Sequence, residues 1–435
     1  MSDRAGTRDR RACASRLASC VVVAVACAAM RVESGRLAAD EVADSGWRAG
    51  VAAVRITPER PLPMAGYAGR KEPAEGTEQD LFAKAIALDD GAGGRTVWIT
   101  LDLIGVTADL RESVARRVEK AVGLAPAALL MNASHTHCGP EYVHADAADY
   151  RRFLEDALVE LADRAIAELA PATVAFGSAR AAFAMNRRTP TRERVLNHPN
   201  PHGPVDHAVP VLGVRDTQGG LRGLVFGYAC HNTTMGFRRW LGDYAGYAQR
   251  YLEEDHPGIT ALFMMGCGGD QNPYPRSELT YAERHGRTLA TAVEAAIEVN
   301  QNPPRHQRVV FGTIRTALET VELPFTDAAR PPHRYPVQVI RLGDAVLLVA
   351  LGMEATVDYA LRIKTEFAKP DGPAVWVAGY SNDYPGYVPS RRVLLEGGYE
   401  AESRPWDPGL EERIIAAVHR LADRTRAPPG TRESP

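Results

Sequence analysis

Cysteine is scarce in this 435-residue chain, and three of the six cysteines, Cys13, Cys20 and Cys27, fall near the N-terminus. The other three, Cys138, Cys230 and Cys267, cannot pair completely, which excludes a disulfide-stapled scaffold. Each lies beside a polar motif, as a small buried residue lining a site would. Excess positive charge is also missing: 51 Lys and Arg stand against 54 Asp and Glu, for a formal charge of -3 and a pI of about 6.5. No basic surface announces nucleic acid or an anionic membrane. No apolar run reaches the roughly twenty residues of a membrane-spanning helix. No Gly-Lys-Ser/Thr closes a phosphate loop, and no internal repeat, low-complexity tract or obvious linker divides the chain.

What is present begins with an address. Arg4, Arg8, Arg10, Arg11 and Arg16 precede an apolar run from Leu17 to Met30, with small-residue sites at Ala26-Cys-Ala-Ala29 and Leu37-Ala-Ala39. This is the layout of a secretory signal. It predicts export with cleavage near Ala38 and a mature chain without a transmembrane segment, periplasmic, extracellular or lipid-anchored. A basic tail on a cytosolic enzyme is the alternative. Residues 1–39 therefore stand apart from a globular body over 47–425, and the Pro/Arg/Ser-rich residues 426–435 read as a disordered tail. Composition suits the body: 45% hydrophobic and 24% charged. No feature assigns an oligomeric state.

Within the body, short apolar runs alternate with helical periodicity, predicting an α/β fold of mixed sheets flanked by helices. Strands are expected at Trp47–Ile56, Leu81–Leu88 and Thr96–Leu103, the latter two joined by the Gly-rich turn 89–94. Further strands are expected at Ala127–Met131, Ala172–Gly177, Val209–Val214, Leu221–Ala229 and Ile259–Met265. The C-terminal part adds Val309–Leu318, Val337–Ile340, Ala345–Leu351 and Val375–Ala378. Met185 to Asp206 reads as a surface loop or lid, with Arg187 or Arg188 facing a substrate. Gly266-Cys-Gly-Gly-Asp-Gln-Asn-Pro273 reads as a turn opening the next helix, whose backbone N–H groups could cradle a ligand.

Five of the apolar strands stop at polar residues: His135 and His137, His231, Asp270, Glu354, and Tyr380, Tyr384 and Tyr387. In α/β architectures ligands bind beyond the carboxyl ends of strands, so such residues can converge. One imidazole alone is more often a hydrogen-bonded core histidine. Two at a strand end followed by Cys-Gly-Pro point to a metal or a proton-transfer site. Two or three His with one carboxylate suit a catalytic zinc ion, Zn2+, with a position left for water. Singly, Glu354 could cap its helix and the tyrosines could simply pack.

Several motifs in one order resemble the neutral/alkaline non-lysosomal ceramidases. They are Asp102-Leu-Ile-Gly105, Ser134-His-Thr-His-Cys-Gly-Pro140, Met185-Asn-Arg187, His231-Asn-Thr-Thr-Met235, Gly352-Met-Glu354, Ser381-Asn-Asp-Tyr-Pro-Gly-Tyr387 and Gly398-Tyr-Glu400. The resemblance runs from about Val51 to Tyr399 and does not include the family's C-terminal β-sandwich domain. It implies an α/β catalytic domain holding one zinc ion and hydrolysing the amide bond of an N-acyl lipid such as ceramide with zinc-activated water. It further implies His135, His231, Glu354 and Tyr387 as zinc ligands, with Tyr384 the competing phenol. His137 would transfer the proton, and Arg187 and Tyr399 would hold the polarised carbonyl oxygen. Asp270, Asn272 and Tyr384 are candidates for substrate contact. One departure stands out: where the family carries an active-site serine this chain has Asn272, an amide that cannot act as nucleophile or proton carrier. Two other readings stay open, a zinc hydrolase or esterase acting on a non-ceramide substrate and a metal-containing binding protein without turnover.

Overall fold

Strands continuously apolar over five or six residues, such as Val346-Leu-Leu-Val-Ala-Leu351, are buried on both faces, and the fold shows how. The computed structural model describes residues 46–298 and 307–426; the signal-like segment and the tail beyond 426 lie outside the described residues. Three sheets are built to one plan. The first holds β1 (Arg48–Arg55), β2 (Phe82–Asp89) and β3 (Arg95–Leu101), then helix α1 (Ala108–Val122), β4 (Leu129–Ala133) and helix α2 (Ala148–Ala167). The second holds β5 (Thr173–Arg180), β6 (Ala208–Arg215), β7 (Leu221–Tyr228), α3 (Asp243–Asp255), β8 (Thr260–Met265) and α4 (Leu279–Ile297). The third holds β9 (Ile314–Leu323), β10 (His333–Leu342), β11 (Val346–Leu351), α5 (Val357–Phe367) and β12 (Ala374–Ala378), with α6 (Leu410–Arg424) closing the chain.

In each sheet three strands run antiparallel in sequence order, and a helix then carries the chain to a fourth strand parallel to the third. A parallel neighbour requires such a crossover. Its consequence here is positional: β3 and β4, β7 and β8, and β11 and β12 end side by side. The repeat lies in topology and has no counterpart in sequence.

Side chains alternate between two burials. On β11, Val346, Leu348 and Ala350 join a core shared by all three sheets, with Trp98, Leu130, Leu212, Leu262 and Trp376. Leu347, Val349 and Leu351 face α5 and α6 instead. The first sheet likewise sends Met131 and Ile99 toward α1 and α2, and the second sends Phe226 and Phe263 toward α3 and α4. Each fully buried Leu or Trp contributes about 1.5–3 kcal/mol. No described helix is long and apolar enough to cross a membrane.

Three details correct the sequence reading. Residues 185–206 include a hairpin, Ala184–Pro190 with Val195–Asn200, and Arg187 and Arg188 are buried in it by ionic partners that no hydrophobic pattern announces. The strand expected at Val309–Leu318 is β9, displaced to Ile314–Leu323 and paired over ten residues with β10. The glycine-rich turn does not open α4; Gln271–Pro273 first pairs with Ala184–Asn186.

Candidate metal centre at the strand ends

The carboxyl ends of the third and fourth strands of each sheet deliver the site. His135 and His137 follow β4, His231 follows β7, Glu354 follows β11, and Tyr380, Tyr384 and Tyr387 follow β12. Turning the chain there requires left-handed backbone at His135, Met353, Tyr380 and Asn382, an uncommon conformation for non-glycine residues that clusters at functional sites. Glu354 and Tyr387 are direct partners in a two-residue parallel bridge, so their side chains share a face.

Tautomers can be assigned from fixed acceptors. His135 Nδ1 lies 2.7 Å from the Ile104 carbonyl and His231 Nδ1 lies 2.7 Å from the Gly268 carbonyl. A carbonyl only accepts, so both Nδ1 atoms carry hydrogen, and in the neutral rings both Nε2 atoms present lone pairs. Those two Nε2 atoms each sit 3.2 Å from Glu354 Oε2, yet the carboxylate oxygen has no hydrogen-bond partner among the described residues. Two lone pairs and a carboxylate oxygen facing one another in a buried space repel unless a cation lies among them. Their spacing is close to the roughly 3.3 Å edge of a tetrahedron with zinc-type bonds of about 2.0–2.1 Å, and His held through Nδ1 by a carbonyl is the usual arrangement of a ligating imidazole. The donor set therefore fits a metal ion.

His137 completes a cluster in which the three imidazoles offer nitrogens within 4.8 Å of one another. Its Nε2 is 3.2 Å from His135 Nε2, and its Nδ1 is buried without a partner among the described residues. Burial, then the neighbouring His135 and His231, hold its pKa well below the usual imidazole value. Burial and Arg187 take His231 down to about 4. Burial raises the Glu354 carboxyl, but the charge and N–H bonds that His135 and His231 offer in their protonated forms outweigh it and hold it well below the carboxylate range.

Arg187 reaches the centre from the hairpin. Its Nη1 lies 3.3 Å from His231 Nε2 and donates to Asn272 Oδ1 at 3.2 Å; its Nη2 donates to Tyr387 Oη at 3.0 Å and to the Gly269 carbonyl at 2.8 Å. Burial works against the guanidinium charge, but Tyr387 and Glu400 hold its pKa well above the usual value. Tyr387 stacks on His231, whereas Tyr384 packs against Gly105 and lies 6.3 Å from the His135 ring. Tyr399 stands over Tyr387 at 5.4 Å and is 55% exposed. Asp270 is turned to structural partners, accepting from the Val357 amide at the start of α5 and from Asn186 Nδ2. Arg188 points away from the centre, toward Glu400 and Gly397.

Two features escaped the sequence. The glycine-rich turn after β8 offers the Gly268 carbonyl rather than amides, and those amides are used within the fold: Gly269 N–H donates to Ala355 and Gln271 N–H to Gly268. The loop Leu62–Arg70 forms a wall: Tyr67 meets the His137 ring edge-on at 4.7 Å, and Arg70 Nη1 donates to the His137 carbonyl at 2.8 Å. Its signal was Gly66, with φ +97°, where an added Cβ would lie 2.5 Å from His137 Cγ and Nδ1. Gly66→Ala is expected to displace the His137 ring and lower kcat about 10- to 100-fold while leaving metal content unchanged, a split that metal analysis beside steady-state kinetics would reveal. An unchanged kcat would show that the ring position is immaterial.

Position at convergent strand ends, burial and donor chemistry together define an α/β protein with a metal-type centre. A family model described as neutral/alkaline non-lysosomal ceramidase, N-terminal, matches residues 47–264. The chain belongs to the neutral/alkaline non-lysosomal ceramidase family. Two solved structures share its fold. Neutral ceramidase from Pseudomonas aeruginosa is 21% identical with a TM-score of 0.72, over 87% of this chain and 75% of that one. A ceramidase complexed with C2 is 19% identical with a TM-score of 0.72, over 87% and 76%. A search of curated proteins finds no match.

Proposed function

We propose that the chain is an exported, zinc-dependent amidohydrolase that cleaves the amide bond of an N-acyl compound, ceramide or a related amide. The observation that carries this reading is the convergence of the His135 and His231 lone pairs on Glu354 Oε2 at 3.2 Å. Zinc held by His135, His231, Glu354 and Tyr387 would supply an activated water near neutral pH and polarise the scissile carbonyl. His137, kept neutral by burial, accepts the proton of the attacking water and returns it to the amine nitrogen as the C–N bond breaks. Arg187 and Tyr399 stabilise the carbonyl oxygen as it gains charge. The products are a free acid and an amine. Export rests on the Arg-rich and apolar pattern of residues 1–39.

A second reading, a non-ceramide amide or ester as substrate, is favoured by the groove beside the centre. This groove, about 850 Å³, shares Tyr67 and Tyr384 with the site, and its lining includes the charged Arg60, Lys71, Glu141 and Asp146 beside prolines and Met64. Its walls are more polar than apolar, so a long alkyl chain gains little from them. Metal analysis of the purified chain, followed by assays on a ceramide and on short N-acyl amides and esters, separates the readings. One zinc per chain with amide turnover is expected. Stoichiometric zinc with no turnover on any compound would instead indicate a binding protein, and absence of zinc would defeat the ligand set.

A further inference from the structure

Consecutive residues of a regular strand point to opposite faces, so Arg187 and Arg188 should diverge. They meet on one carboxylate because the hairpin pairing slips register between Asn186 and Arg188, an irregularity of the kind that re-aims side chains near active sites. The carboxylate is Glu400, 1% exposed. Its Oε1 accepts from Arg187 Nε at 2.9 Å and its Oε2 from Arg188 Nη1 at 2.5 Å. A charge so buried persists only when paired.

Each arginine carries the connection onward. Arg187 presents its other nitrogens to His231, Asn272 and Tyr387. Arg188 Nη2 donates to the Gly397 carbonyl at 2.8 Å and to Glu396 Oε2 at 3.1 Å. Gly397 and Gly398 both have positive φ, +72° and +84°, a pair with wide conformational freedom when unrestrained. Directly after them Tyr399 leans toward Arg187, whose guanidinium carbon is 5.6 Å from its ring, and the next residue is Glu400 itself.

We propose that Glu400 is a positioning residue for the reaction. It sets the Arg187 head against His231, Asn272 and Tyr387 and fixes Tyr399 at the mouth, without touching substrate. This role rests on the amide-hydrolase reading above.

Glu400→Asp tests it, since the shorter side chain keeps the charge but cannot bridge both guanidinium groups. In the zinc-loaded full chain, kcat on an N-acyl amide turned over by the wild type is expected to fall about 10- to 100-fold, with zinc content and KM within about twofold. Arg188→Met, which releases Gly397 but leaves the Arg187–Glu400 bond, should raise KM more than it lowers kcat. Cobalt(II)-loaded protein gives a readout independent of turnover: its ligand-field bands should shift in Glu400→Asp as Arg187 loosens on Tyr387 and His231. A purely structural role would lower Tm and leave the bands in place, and unchanged bands overturn the proposal whatever the turnover. Shifted bands with unchanged kcat overturn it as well. If the wild type hydrolyses no amide, the functional reading falls and the cobalt bands alone decide the positioning role.

Discussion

A His135→Ala/His231→Ala double variant is expected to be purified without stoichiometric zinc and to lose activity by on the order of 10³-fold or more, about 4 kcal/mol of transition-state stabilisation. The size follows from how the two rings are held. Each is oriented by a backbone carbonyl, Ile104 or Gly268, and each aims its lone pair at the same carboxylate oxygen. No other described cluster of three His, Cys, Asp or Glu residues could hold a metal, so nothing nearby can take over. Linkage gives a second measure. A metal that binds only the folded chain raises Tm with its concentration, adding about 2.7 kcal/mol of stability at a hundredfold excess over Kd. The wild type should show that response to added zinc and the double variant should not. Full zinc retention by the variant would remove His135 and His231 from the ligand set.

The strand ends were legible in the sequence because each delivering strand is a continuous apolar run that halts at a polar residue. Leu129-Leu-Met before Asn132, and Val346 to Leu351 before Glu354, are buried on both faces and cannot be mistaken for surface. Helical crossovers were legible from periodicity for the same reason. What could not be read was backbone chemistry. The Ile104 and Gly268 carbonyls that fix the imidazole tautomers have no side-chain signature, and the bridge pairing Glu354 with Tyr387 is two residues long. The hairpin carrying Arg187 was hidden because ion pairs with Glu400, rather than apolar alternation, bury its middle. The threefold repetition of the sheets was hidden too, since topology is written in hydrogen bonds that many different sequences satisfy.

Asn132→Leu is expected to destabilise the chain by about 3–5 kcal/mol, because a side chain of similar size strands several buried partners at about 1–3 kcal/mol each. Asn132 is fully buried at the end of β4. Its Nδ2 donates to the Gly379 carbonyl at 2.7 Å, to Ser381 Oγ at 3.0 Å and to the Met265 carbonyl at 3.2 Å, while its Oδ1 accepts from the Met265 amide at 2.8 Å. One amide thus ties together the ends of the parallel strands of all three sheets, β4, β8 and β12. Ser381→Ala, which removes one acceptor of Asn132 and the hydroxyl's own bond to the Gly379 carbonyl at 2.8 Å, should cost only about 1–2 kcal/mol, so denaturant titration of the two variants separates the hub from one of its contacts. Asn132 is also three residues before His135, and Ser381 follows Tyr380 directly. Loosening this junction should therefore weaken zinc retention as well as stability, a coupling that would be absent if the metal ligands were held by their own loops. Equal stability losses in the two variants would show that the sheets meet without depending on this amide, and full zinc affinity in Asn132→Leu would show that the metal ligands are held by their own loops.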